Sequence, residues 1–129
     1  TYIAPLIEQT LGLSPQLLPS VLLAFGVGAA VGNTIGGQLA DRLGGGTTVV
    51  AATVLMAVTV GGVSLWPDVP AGMLVPFVLA YMFIWGVVGW SFPPAQASRV
   101  IVKAADAAPL ALALNGSEIE LGVALASFE

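Results

Sequence analysis

Chemistry in a protein needs side chains that ionise, ligate or attack, and this 129-residue sequence has few of them: three Lys or Arg, seven Asp or Glu, no His and no Cys. The missing His and Cys remove disulfides, thiol nucleophiles, histidine metal sites and the imidazole acid–base switch. No nucleophile–base pair or metal-ligand cluster can be assembled from what remains, so the sequence reads as non-enzymatic, with no metal and no cofactor. Gly26-Val27-Gly28 and the run Gly44-Gly45-Gly46 lack the lysine and strand context of a nucleotide-binding loop. The polar residues left to explain are few. Asp41 and Arg42 are adjacent; Arg99, Lys103 and Asp106 follow at i, i+4, i+7; Glu118 and Glu120 lie two apart; Asn33, Thr34 and Gln38 interrupt an apolar stretch.

The elements that hold these residues are dictated by solvent. Charged residues make up 8% of the chain and hydrophobic residues 57%, with a mean hydropathy of +0.99, whereas soluble domains carry about a quarter charged residues. No charge occurs from Gln9 to Ala40, from Leu43 to Pro67 or from Val69 to Ser98. Each gap exceeds the ~20 apolar residues that cross a bilayer core as a helix. The expected fold is all-α: a polytopic transmembrane bundle of about four spanning helices. A net charge of −4 argues against a nucleic-acid partner, which would favour a basic face. The opening stretch has no basic region of the kind that starts a secretory signal, and it begins on Thr1 rather than Met, which suggests a piece of a longer chain.

The first predicted helix covers 14–43, with Ser14 as N-cap and Pro15 at the position proline tolerates best. The triple glycine allows a tight reversal. Thr47 is then expected to cap a second helix over 47–66. A third helix is predicted over 71–92, kinked early by Pro76 and ended by Pro93-Pro94. A connection over 93–108 follows, read either as a short helix lying along the membrane surface or as an irregular loop. The fourth helix is placed at 109–128. On this layout Arg42, Arg99 and Lys103 all fall on one side, which the positive-inside rule makes cytoplasmic, while Glu8 and Asp68 fall on the other. Trp66 and Trp90 then lie at the two interfaces.

Within the first helix Ala24, Gly28, Gly32, Gly36 and Ala40 place a small residue every four positions. Helices in lipid gain little from apolar burial, so close backbone approach supplies their packing. The strip suits either a fixed contact or a face that slides. Asn33, at mid-span, suits interhelical hydrogen bonding or contact with a substrate. Arg42 complements the negative C-terminal end of its helix, but Asp41 is at the wrong end for its own dipole. Its carboxylate is better served by the N-terminus of another helix or by a basic group from another segment, which points to a breakable inter-helix latch.

The residues Gly37-Gln38-Leu39-Ala40-Asp41-Arg42-Leu43-Gly44 resemble the signature of the major facilitator superfamily of transporters, which joins two transmembrane helices through a tight cytoplasmic turn. The family pattern continues with basic residues where Gly45-Gly46-Thr47 stand here, which suits the relaxed copy in the C-terminal half. The segment TYIAPLIEQTLGLSPQ resembles the outer end of the seventh helix and the following loop in bacterial drug- and sugar-efflux members. GWSFPPAQASRV and APLALALNGS resemble the tenth helix, its connection and the start of the eleventh. The four predicted helices would then be the eighth to eleventh of a transporter in the inner (plasma) membrane.

The resemblance implies alternating-access movement of a small solute, expected to be proton-coupled efflux. Gly37, Asp41, Arg42 and Gly44 would form the latch motif, with Asn33 or Trp85 lining the cavity. The partners it implies are a small-molecule substrate, the lipid bilayer and the remaining helices of the same transporter. Glu118 and Glu120 depart from the family pattern. They point about 200° apart on a helix, and an acid at the bilayer centre costs roughly 2.5–3.5 kcal/mol, so the choice is between a proton relay by one of them and an imperfect fourth helix. Two other readings of the chain stand beside the transporter. A compact four-helix multidrug exporter acting as a dimer would carry a glutamate in its first helix, which is absent here. A non-transporting anchor or assembly subunit would use the glycine strip as a fixed interface.

Overall fold

The structure, a computed structural model, describes residues 14–64 and 69–126. A 3-10 turn at Pro15–Leu17 leads into α1, Leu18–Leu43. The Ser14 carbonyl accepts the Leu17 N–H at 3.0 Å, and its hydroxyl lies 3.4 Å from the Gln16 N–H, so Ser14 caps the 3-10 turn. Helix α2 runs from Gly45 to Gly62. A second 3-10 turn, Ala71–Met73, opens α3, Leu74–Ala104. A third, Ala105–Ala107, joins it to α4, Ala108–Ala126. The bundle is all-α, and α1, α2 and α3 are long and apolar enough to cross a membrane; α4 is not among those spans.

Two boundaries differ from expectation. Thr47 does not cap α2, because Gly44 alone makes the reversal and the helix is under way at Gly45. Helix α3 does not end at Pro93-Pro94; it continues for ten more residues, so 93–104 is helix rather than a connection. The reason is packing: Ala95, directly after the prolines, is completely buried with Ala40 and Val49. Membrane helices tolerate proline where neighbouring helices support the freed backbone. Pro76 lies in the first turn of α3, where the N–H groups have no intrahelical partner, so its missing donor opens no bond of the helix interior. The predicted positions of Glu8, Trp66 and Asp68 lie outside the described residues.

The main contact is between α1 and α3, with α2 packed on α3 and, less, on α1. At one end of this pair Val21, Val78 and Met82 are buried, with Phe25, Phe77, Tyr81 and Trp85 against them. Phe25 and Trp85 meet edge to face, with centroids 5.9 Å apart and 64° between planes, a favoured aromatic geometry. Leu22, Leu23, Val27, Val31, Ile35 and Leu39 of α1 are exposed. An apolar face that size is untenable in water and ordinary in lipid. Helix α4 rests on α3 through its first half; every described side chain from Gly116 to Leu125 is exposed.

Candidate functional site

The seam between α1 and α3 sets the geometry of everything near the signature. Gly28, Gly32 and Gly36 are buried, and a methyl group on each would run into the carbonyl oxygen of Phe83, Val87 and Ser91 respectively. The sequence offset is the same 55 positions in all three pairs, so α1 and α3 are parallel and in register. Gly86 answers from the other side, its Cα facing Phe25 and Ala29 backbone atoms. Backbones this close permit weak Cα–H···O contacts and dispersion along the whole length. The small strip is thus filled by a helix of the same chain, with Ala40 buried at its C-terminal end and Ala24 half-buried at the other.

The turn after the strip is clamped to α3. Gly44 has φ 85° and ψ 143°, a backbone region that side chains resist. Its N–H donates to the Ala40 carbonyl at 3.0 Å, and its own carbonyl accepts from Thr48 N–H at 3.2 Å and Thr48 Oγ1 at 3.1 Å. Gly45 is buried for a different reason: a Cβ there would sit 2.7 Å from the Ala95 carbonyl oxygen and 2.9 Å from the Arg99 nitrogen. The hairpin turn and the C-terminal end of α3 therefore lie at the same end of the bundle, and with them Arg42, Arg99 and Lys103.

Asp41 and Arg42 occupy the last turn of α1, both exposed. Among the described residues neither makes an ion pair or a side-chain hydrogen bond. Asn33, Gly37 and Asp41 fall at i, i+4, i+8, one row along the flank of α1 beside the seam. Asn33 is exposed, and nothing lies within 4 Å of a methyl placed on Gly37. A carboxylate at the foot of such a smooth row can accept hydrogen bonds from a segment that approaches along it.

Trp85 is half-buried and lines a cavity of about 230 Å³ with Phe25, Met56, Gly89 and Trp90. A larger apolar cavity of about 520 Å³ lies between α2 and α3, sharing Met56 and Gly89 and adding Thr53, Val88 and Phe92. Thr53 is satisfied by the Val49 carbonyl at 2.8 Å. Asn33 lines neither cavity. Glu118 and Glu120 are on the exposed stretch of α4. The residues that spacing alone did not single out are Gly45 and Gln96. Gln96 Nε2 reaches Asn115 Oδ1 of α4 at 3.5 Å, while its Oε1 is buried without a hydrogen-bond partner. An amide one turn after a proline pair signals a polar contact only once α3 is known to continue past the prolines.

No family model matches the sequence, and no solved structure matches it. Curated proteins do. The chain is 30% identical over 132 residues to the inner membrane transport protein YdhP of Escherichia coli K12, a match that covers 97% of the chain and 31% of the relative. It is 27% identical over 124 residues to the chloramphenicol resistance protein of Streptomyces lividans, covering 96% of the chain and 30% of that protein. Against the uncharacterized MFS-type transporter YtbD of Bacillus subtilis the figures are 28% over 133 residues, 99% and 32%. The chain spans about a third of the length of the curated relatives it matches. These homologues are transporters of the major facilitator superfamily, the family that the Gly37–Gly44 signature resembles.

Proposed function

We propose that this chain forms part of a major facilitator superfamily transporter that moves a small solute across the inner membrane by alternating access, as proton-coupled efflux. The observation that carries the reading is similarity to such transporters along 97% of the chain. In this mechanism two half-bundles rock about a central site, each moving as a body. The α1–α3 seam supports that picture, because helices packed backbone to backbone in register resist sliding and move together. Motion is then confined to faces outside the seam.

The Asn33–Gly37–Asp41 row is such a face. Asp41 acts as one half of the cytoplasmic latch: its carboxylate receives a helix N-terminus or a basic side chain from the opposing half when the inner side is closed, and releases it when that side opens. Gly37 keeps the approach smooth. Arg42 stays with its own helix end and neutralises the dipole there. Gly44 and Gly45 hold the turn against α3, so that Asp41 moves with the bundle. Trp85 belongs to the wall of the solute pathway in this reading, while Asn33 lies on the exposed row that meets the opposing half.

The test is Asp41→Asn in the intact protein. The amide keeps size and loses charge, so membrane insertion and thermal stability should be unchanged while transport into or out of vesicles falls about tenfold, the equivalent of ~1.4 kcal/mol of lost latch energy. Transport at the wild-type rate would remove Asp41 from the mechanism.

A further inference from the structure

Helix α3 is longer than a bilayer crossing requires. Its 31 residues extend about 46 Å at ~1.5 Å per residue, against ~30 Å of hydrocarbon. The surplus is about ten residues. The N-terminal turns of α3 are wholly apolar, and its charged residues all lie after Ser98, so the surplus falls on the C-terminal stretch to Ala104. That stretch sits at headgroup depth.

There Gln96, Arg99, Val100, Lys103 and Ala104 line a groove of about 370 Å³. Arg99 and Lys103 are exposed, one turn apart on one face. Among the described residues neither has an anionic partner; Asp106, on the next turn, is exposed and pairs with neither. Gln96, one of the residues lining the groove, carries a buried Oε1, an acceptor with no donor, an arrangement that folded proteins rarely leave unmet. Beside the groove, Val102 and Ile101 are 79% and 49% exposed and offer apolar contact.

We infer that this groove binds the headgroup of an anionic phospholipid that also carries a hydroxyl. Arg99 and Lys103 donate to the phosphate oxygens, the headgroup hydroxyl donates to Gln96 Oε1, and the acyl chains descend past Ile101 and Val102. Basic grooves at the end of membrane helices recruit anionic lipids by charge, and the exposed apolar residues favour a lipid over a free anion. Gln96 adds the preference among anionic lipids.

Native mass spectrometry of the intact protein in detergent tests this with phosphatidylglycerol, phosphatidylmethanol, phosphatidylcholine and inorganic phosphate as probes. Phosphatidylglycerol should be retained about tenfold over phosphatidylcholine, and Arg99→Gln with Lys103→Gln should abolish the difference. Gln96→Leu should bring phosphatidylglycerol down to the level of phosphatidylmethanol, which has the same charge and no headgroup hydroxyl. Equal retention of phosphatidylglycerol and phosphatidylcholine overturns the proposal, as does full retention by the double variant or displacement of the lipid by millimolar inorganic phosphate. If the double variant does not fold, the wild-type protein answers instead. Retention that falls as ionic strength rises supports the site, and retention indifferent to salt overturns it.

Discussion

Adding one methyl group to each glycine of α1 asks different things of the surrounding structure. At Gly32 the new Cβ meets the Val87 carbonyl, which belongs to a helix backbone and cannot swing aside. Gly32→Ala should therefore force α1 and α3 apart and cost about 1–3 kcal/mol, the usual range for overpacking. At Gly26 nothing lies within 4 Å, and Gly26→Ala should leave stability unchanged or raise it by up to ~1 kcal/mol through reduced backbone freedom. Thermal unfolding of the intact protein in detergent reads both. Gly37 separates packing from function. It too has open space, so Gly37→Leu should fold as the wild type does yet transport more slowly, because its side chain obstructs the row that leads to Asp41. Loss of stability in that variant would place Gly37 in the packing of the bundle and remove it from the latch.

Among elements, α3 poses the sharpest question, since it stays helical through two consecutive prolines. Neither has an N–H, so the Gly89 and Trp90 carbonyls lose their α-helical donors, and in a soluble helix each interior proline costs ~3 kcal/mol. Replacing both, Pro93→Ala with Pro94→Ala, should restore two hydrogen bonds and raise the midpoint of thermal unfolding. A lowered midpoint would mean that the prolines shape the helix so that Ala95 can seat against Ala40 and the Gly45 turn. The same two residues mark where the sequence was hard to read. Proline as a helix terminator is a local rule, and what overrides it here is a hairpin that arrives from fifty residues away. Gln96 escapes the sequence for the same reason, since local rules place it in the 93–108 connection and not on the packed face of α3. Local patterns were legible: the four-residue spacing of Gly28, Gly32 and Gly36, and the charge step at Asp41-Arg42 that ends α1. Which helix would fill the strip was not, because spacing describes a groove and never its occupant. Residue preference alone makes Thr47 a cap, but a single glycine with positive φ turns the chain before a cap is needed.

Taken as a whole, the molecule has an end-to-end polarity that its packing fixes independently of any charge rule. Helices α1 and α3 run parallel through three glycine contacts in register, and Gly45 abuts Ala95 and Arg99. Arg42, Arg99 and Lys103 must then share one end, with Ala71 at the other. All three basic residues of the chain lie at that shared end, and lysine and arginine near span ends bias a segment toward cytoplasmic placement. The chain itself has no cysteine, so single cysteines can be introduced into a background cleared of any others. Arg42→Cys and Lys103→Cys should react with a membrane-impermeant maleimide only when the cytoplasmic face is accessible, and Ala71→Cys, exposed in the 3-10 turn that opens α3, only from outside. A reversed pattern would keep the bundle and invert it, which would move the proposed Asp41 latch to the exterior side. Labelling of positions 42 and 103 from opposite sides would do more damage, because no membrane-crossing arrangement with α1 and α3 parallel allows it. The glycine seam itself would then have to be wrong.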